Sequence, residues 1–190
     1  MNNLTSFHVS EQVRLKAQGV LSLYVCEDVE TLSFNAQAPL FTGNNVLTNN
    51  FINFIGKLEE VPVVLGIGNG DNGSFNPAGG VANPNNAPSL LDVKLKRELT
   101  QGRFPTGRIR DRAELIGEGQ RNFTFKALIP ASAYSGQPIS EAGLFAGSSD
   151  QSVALENFEA GSLIARRALN YTKEPDQAIV AVWIITVILN

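Results

Sequence analysis

The plainest pattern in the chain is the alternation Phe123-Thr124-Phe125-Lys126-Ala127, in which apolar side chains take turns with Thr and Lys. Neighbouring side chains of a strand point to opposite faces, so this spacing predicts one buried and one solvent-facing side. Residues 122–129 therefore read as a strand, with 108–117 pairing to it around Glu118, Gly119 and Gln120. Further strands are predicted at 139–146, 162–171 and 178–189. The last is an apolar run with Trp183 near its middle and Thr186 as its polar interruption. A strand of that kind is expected to be covered on both faces.

The first half is more mixed. Val20, Leu21, Leu23, Tyr24, Val25 and Cys26 give a β-branched and aromatic run suited to a strand. Glu27, Asp28, Val29 and Glu30 read as a turn, and residues 31–34 as the start of a return strand, so a β-hairpin is predicted within 12–38. Leu47, Phe51, Phe54, Ile55 and Leu58 then recur at the spacing of one helical face. Asn44 or Asn45 can cap that helix, and Pro62 lies beyond its end. Val63, Val64 and Leu65 read as a short buried strand. A turn-rich loop follows over 66–88, and a short helix is predicted at 89–99.

These elements predict a mainly β protein: an antiparallel β-sandwich with an N-terminal β-hairpin and one principal helix at about 45–58. The expected division is an arm and hairpin over 1–43 and a sandwich over 44–190. Short strands separated by turns favour paired sheets. The expected core is Leu47, Phe51, Phe54, Ile55, Leu144, Phe145, Trp183 and Ile185. Gly143 is expected at a bulge or a close backbone approach. Glu141 is expected to form a cross-strand ion pair with Arg166, or with Arg167 beside it. The loop residues Gly66, Gly68, Asn69, Asp71 and Phe75 are expected at an interface.

Composition narrows the function. The 190 residues suit one sizeable domain, and the net charge is only −3. The single cysteine, Cys26, rules out an intramolecular disulfide and suits a reducing compartment. Within a strand it is expected to behave as a small core hydrophobe. The first residues carry no charged region leading into an apolar run, so no secretory leader is expected. The longest apolar run is about half the ~20 residues of a membrane helix. Neither a membrane nor a nucleic acid is an expected partner. Lys94, Lys96, Arg97, Arg103, Arg108, Arg110 and Arg112 form the one basic concentration. Acidic residues interleave with it, which suits a solvated or subunit-facing surface.

No catalytic, cofactor or metal site is expected. His8 is the only histidine, so a histidine-based triad or metal cluster has no material. The Gly66-Ile67-Gly68-Asn69-Gly70 run lacks the helix that a phosphate-binding turn opens. Asn69, Asp71 and Asn72 match a calcium loop only in part. For a carbohydrate-binding module the exposed aromatic candidates are Phe75, Phe104 and Tyr134.

Four stretches in order resemble a bacteriophage tail-collar and tail-fibre structural domain. Residues 44–49, Asn-Asn-Val-Leu-Thr-Asn, are similar to its "N-L-V-T-N" helix opening. Residues 63–70, with Leu90, Leu91 and Arg97, resemble its strand, G-x-G, loop and Leu…Arg pattern. Residues 139–145, Ile-Ser-Glu-Ala-Gly-Leu-Phe, resemble its "I-x-E-x-G-L-F" strand. Leu163, Ile164, Ala165, Arg166, then Lys173 and Trp183, are similar to its ending. The resemblance spans about 44–190. It implies a non-enzymatic virion component without cofactors, assembled in the bacterial cytoplasm. The expected partners are other phage structural proteins and copies of itself, as a trimer or ring. A tail, baseplate or collar adaptor or short fibre is expected first; a head-decoration protein or a carbohydrate-binding attachment module are the alternatives.

Overall fold

The computed structural model describes residues 15–47, 51, 54–57, 63–68, 102–106, 113–117, 119–146 and 162–189. Nine strands carry the described fold: β1 Leu15–Val25, β2 Phe41–Leu47, β3 Val63–Gly68, β4 Gly102–Pro105, β5 Ala113–Gly117, β6 Gln120–Ile129, β7 Pro138–Ala146, β8 Ser162–Thr172 and β9 Ile179–Leu189. They join in the order β4-β3-β7-β8-β2-β1-β9-β6-β5, with every pairing antiparallel.

Strand β2 divides this ladder into two sheets. Its residues 41–45 pair with β1, whereas Val46 and Leu47 pair with Arg166 and Ala165 of β8. One sheet is therefore β5-β6-β9-β1-β2, and the other is β2-β8-β7-β3-β4. A strand that changes sheets in this way forms a corner.

Alternation builds the shared core. In β6, Phe123, Phe125, Ala127 and Ile129 are buried while the residues between them are only half-buried. Ile179, Ala181, Trp183, Ile185 and Val187 of β9 point the same way. So do Leu21 and Leu23 of β1. From the second sheet, Val63, Leu65 and Ile67, Ala142 and Leu144, and Ile164 and Leu169 enter the same cluster. In β7 the inward parity changes between Ile139 and Ala142, where the register with β8 shifts. A bulge produces that change, because one extra residue turns the following side chains over.

Several expectations need correction. The partner of β1 is not residues 31–34 but β2, beginning at Phe41. Residues 28–33 make only a small loop closed by the bridge between Asp28 and Ser33. Phe34 instead stacks on Tyr24, with ring centroids 4.3 Å apart. The Lys126 ammonium lies 5.2 Å from the Phe34 ring centre. Tyr24 pairs with Val180 and Lys126 with Val182, so Phe34 covers the outer face of β9 at its start. Val180 and Val182 are buried there, whereas Ile184 is 36 % exposed. The expected double cover of the last strand thus holds for its beginning and opens further along.

A helix beginning at Asn45 is also ruled out, because β2 continues to Leu47. The described part of the expected helix is helical backbone at Phe51 and Phe54, then a 3-10 turn at Ile55–Lys57. A boundary at 43–44 falls inside β2, and β1 lies between β2 and β9 with its side chains in the common core. Cys26 sits just past β1 and is half-buried rather than in the core. Residues 66–68 belong to β3, not to a loop. His8, the remainder of the 66–88 loop and the 89–99 helix lie outside the described residues.

Candidate functional site

Polar side chains gather at three places, each set by strand register. The first is a row on the side of the second sheet that faces away from the shared core. Val64, Phe145 and Leu163 are paired neighbours across β3, β7 and β8. Next come Gly66, Gly143 and Arg166, and then Gly68, Glu141 and Ala168. Glu141 and Arg166 therefore lie diagonally on one face, with glycines across from both. Neither is exposed, at 0 % and 2 %. Both take part in polar or electrostatic interactions.

Tyr134 borders this row. Its hydroxyl donates to the Ile67 carbonyl at 3.4 Å. Burial, followed by the negative charge of Glu141, pushes its phenol up to about 12. Ser140 donates to the Gly68 carbonyl nearby. Lys173 is fully buried, and its ammonium donates to the Ala131 carbonyl at 2.7 Å. Burial holds its pKa below the usual lysine value, opposed by the charge of Asp176. In this structure the Tyr134 phenol and the Lys173 ammonium each donate to a backbone carbonyl, tying the 131–134 turn and residue 173 to their neighbours.

The second place is the β2 corner. The Trp183 indole donates to Asn45 Oδ1 at 2.8 Å. Asn45 pairs with Gly19, and a Cβ on Gly19 would overlap the Asn45 amide. The missing side chain at 19 is what lets the amide reach the indole. One strand further, Arg167 donates to the Asn44 carbonyl at 2.7 Å and lies 5.6 Å from the Phe41 ring centre. Its guanidinium occupies the space a side chain at Gly43 would need, with Nε 2.8 Å from that Cβ position.

The third place is an exposed end. The Asp28 carboxylate accepts from the Glu30 amide and the Thr31 hydroxyl, at 2.9 and 2.7 Å. Those bonds, the Thr31 one foremost, hold its pKa below the usual carboxylate range. Leu32 completes the turn with a φ of 53°. The loop is tied to the 173–178 turn by the Cys26 amide donating to the Ala178 carbonyl at 2.9 Å.

Of the expected residues, Leu144, Phe145, Trp183, Ile185 and Phe51 are buried, and Leu47, Phe54 and Ile55 pack partly buried against the core. Gly66 and Gly68 flank the Glu141 row. Asn69, Asp71 and Phe75 lie outside the described residues. Tyr134 is a half-buried hydrogen-bond donor rather than an open sugar platform. Sequence reasoning missed the roles of Asn45 and Arg167. The signal available for both was a glycine inside a strand, Gly19 and Gly43, which marks a close approach. No protein-family model matches the chain, and no curated protein or solved structure is significantly similar to it.

Proposed function

We propose that this chain is a non-enzymatic structural component of a bacteriophage particle: a tail, baseplate or collar adaptor or short fibre that assembles through symmetric protein–protein contacts. Its two sheets form a β-sandwich with β2 as the shared corner, a geometry supported by the alternate residues of both sheets that meet in one cluster. The observation that carries the functional reading is where the resembling stretches fall. Residues 63–68, 139–145 and 163–166 lie on β3, β7 and β8, three hydrogen-bonded neighbours, and Trp183 lies in β9 at the centre of the core. The resembling Glu141, Arg166 and Lys173 are the charged side chains of the described residues that are buried. Buried charges of this kind cost desolvation, and their best-attested use is to fix one arrangement of packed elements. A rigid building block needs that property. The first resembling stretch departs from its pattern, since Asn44 and Asn45 lie within a strand that runs on to Leu47.

The test is the copy number of the chain in purified particles, measured by quantitative mass spectrometry against the major shell protein. Roughly six to eighteen copies, as cyclic symmetry gives, is the expected result. Hundreds of copies would assign it to the shell surface instead, and absence from particles would end the structural reading.

A further inference from the structure

Among the described residues, the large hydrophobic side chain most open to solvent is Val29, at 54 % exposed, and Val25 follows at 40 %. Both lie at the end of the first sheet where β1 and β6 stop and β9 begins. Three loops meet there: residues 26–40, 130–137 and 173–178. The Cys26 amide donates to the Ala178 carbonyl at 2.9 Å, which joins the first loop to the third. The Gly136 amide donates to the Lys173 carbonyl at 3.0 Å and the Lys173 amide to the Gln137 carbonyl at 3.2 Å, which joins the second to the third. Within the first, the Glu27 amide donates to the Ser33 carbonyl and the Ser33 amide to the Asp28 carbonyl, while the Asp28 carboxylate closes the turn that carries Val29. A surface held in shape beforehand loses little freedom on binding, which favours association.

The charge of this end is one-sided. Glu27, Asp28, Glu30, Glu174 and Asp176 are all exposed. The three loops hold a single cation, Lys173, and it is fully buried with its ammonium on the Ala131 carbonyl. The whole chain carries −3, so these loops are more negative than the chain as a whole. Two copies brought together by this end would repel, because like charges would face each other. We propose that this end is a docking surface for a different protein of the particle, whose seat is apolar where it receives Val29 and Val25 and carries lysine or arginine side chains around them. The valines supply the buried centre of the contact. The carboxylates form a charged rim that steers encounter and rejects acidic surfaces. This rests on the reading of the chain as a particle component, and names the chemistry of its neighbour.

Carboxylate labelling tests it. A water-soluble carbodiimide with glycine ethyl ester marks carboxylates that solvent reaches, and mass spectrometry locates the marks. Glu27, Asp28, Glu30, Glu174 and Asp176 are expected to be labelled in the purified full chain and protected in purified particles. The double substitution Glu27→Lys, Glu30→Lys and the single Val29→Ser are each expected to lower the copies per particle about tenfold, the loss of one strong contact, while the purified variants melt as wild type. Asp28 is left intact because it holds the turn. Carbodiimide without the ester joins carboxylates to the lysines they touch, and the expected links in particles run from Glu27, Glu30 or Glu174 to a different protein. Links only to another copy of this chain overturn the proposal. So does protection already present in the purified chain, which would mean that the surface is covered by another copy or by the chain itself. So do normally melting variants that enter particles at the wild-type number. A chain present in particles with these carboxylates still labelled overturns the docking and leaves the particle reading standing. A chain absent from particles overturns both.

Discussion

At the scale of single residues, the corner contact makes the sharpest demand. Gly19→Ala drives the Asn45 amide away from the Trp183 indole and leaves a buried N–H without its acceptor. The expected loss is about 1–3 kcal/mol, read by denaturant unfolding, together with a change in Trp183 fluorescence. A Gly19→Ala protein with wild-type stability would mean that the strands part easily here. Glu141→Ala removes a carboxylate from the fully buried row that also holds Arg166. If the two charges form a pair, the substitution strands the guanidinium and costs ~3–5 kcal/mol; an unchanged melting temperature would dismiss the pair. Tyr134 gives a titration signature. Its folded pKa of about 12 lies above the ordinary 10. The neutral phenol is favoured by folding, so this stability is complete below pH 10 and is lost as pH rises through about 12. Lys173 is shifted the opposite way, so its contribution grows with pH as its own folded pKa is passed. Ultraviolet titration should find a late phenol step near pH 12 that Tyr134→Phe abolishes.

At the scale of elements, β9 and β2 show what the sequence makes legible and what it hides. In β9, Trp183 is 1 % exposed and central to the core, so Trp183→Ala is expected to cost ~3–5 kcal/mol through lost burial and a cavity. Soluble, normally melting mutant protein would refute that role. The strand was readable because its own side chains supply the reason for its burial, and β6 likewise announces its faces by alternation. The opposite holds for β2. Thr42, Gly43, Asn44 and Asn45 look like a loop leading to a helix cap, since Asn and Gly are poor strand formers. Their strand conformation is held by distant partners: the Trp183 indole donates to Asn45 Oδ1, and Arg167 donates to the Asn44 carbonyl. Local pattern carries no trace of either. Phe34 misled in the same manner, because its stacking on Tyr24 is a tertiary contact that draws the chain over β9 instead of alongside β1. Phe34→Ser should raise amide exchange at Val180 and Val182 while leaving β7 and β8 unaffected.

At the scale of the whole molecule, the charged row could be suspected from the resembling motifs, but its burial could not. Glu141 and Arg166 look like surface residues in composition, yet on β7 and β8, inside the second sheet, they are 0 % and 2 % exposed. Since side chains of both sheets share one cluster, unfolding is expected as one cooperative transition. Far-ultraviolet dichroism and Trp183 fluorescence should give coincident curves. Two separate transitions would divide the chain into independent units. The division of β2 between the sheets also has a mechanical side. Among the described residues it is joined to β8 by only two paired positions, while five join it to β1. A pull that draws the sheets apart therefore concentrates on this short seam, where the Arg167 guanidinium acts as a clasp across it. Under such a load the seam is where the molecule gives first, and Arg167→Ala is expected to lower the unfolding force read by single-molecule pulling.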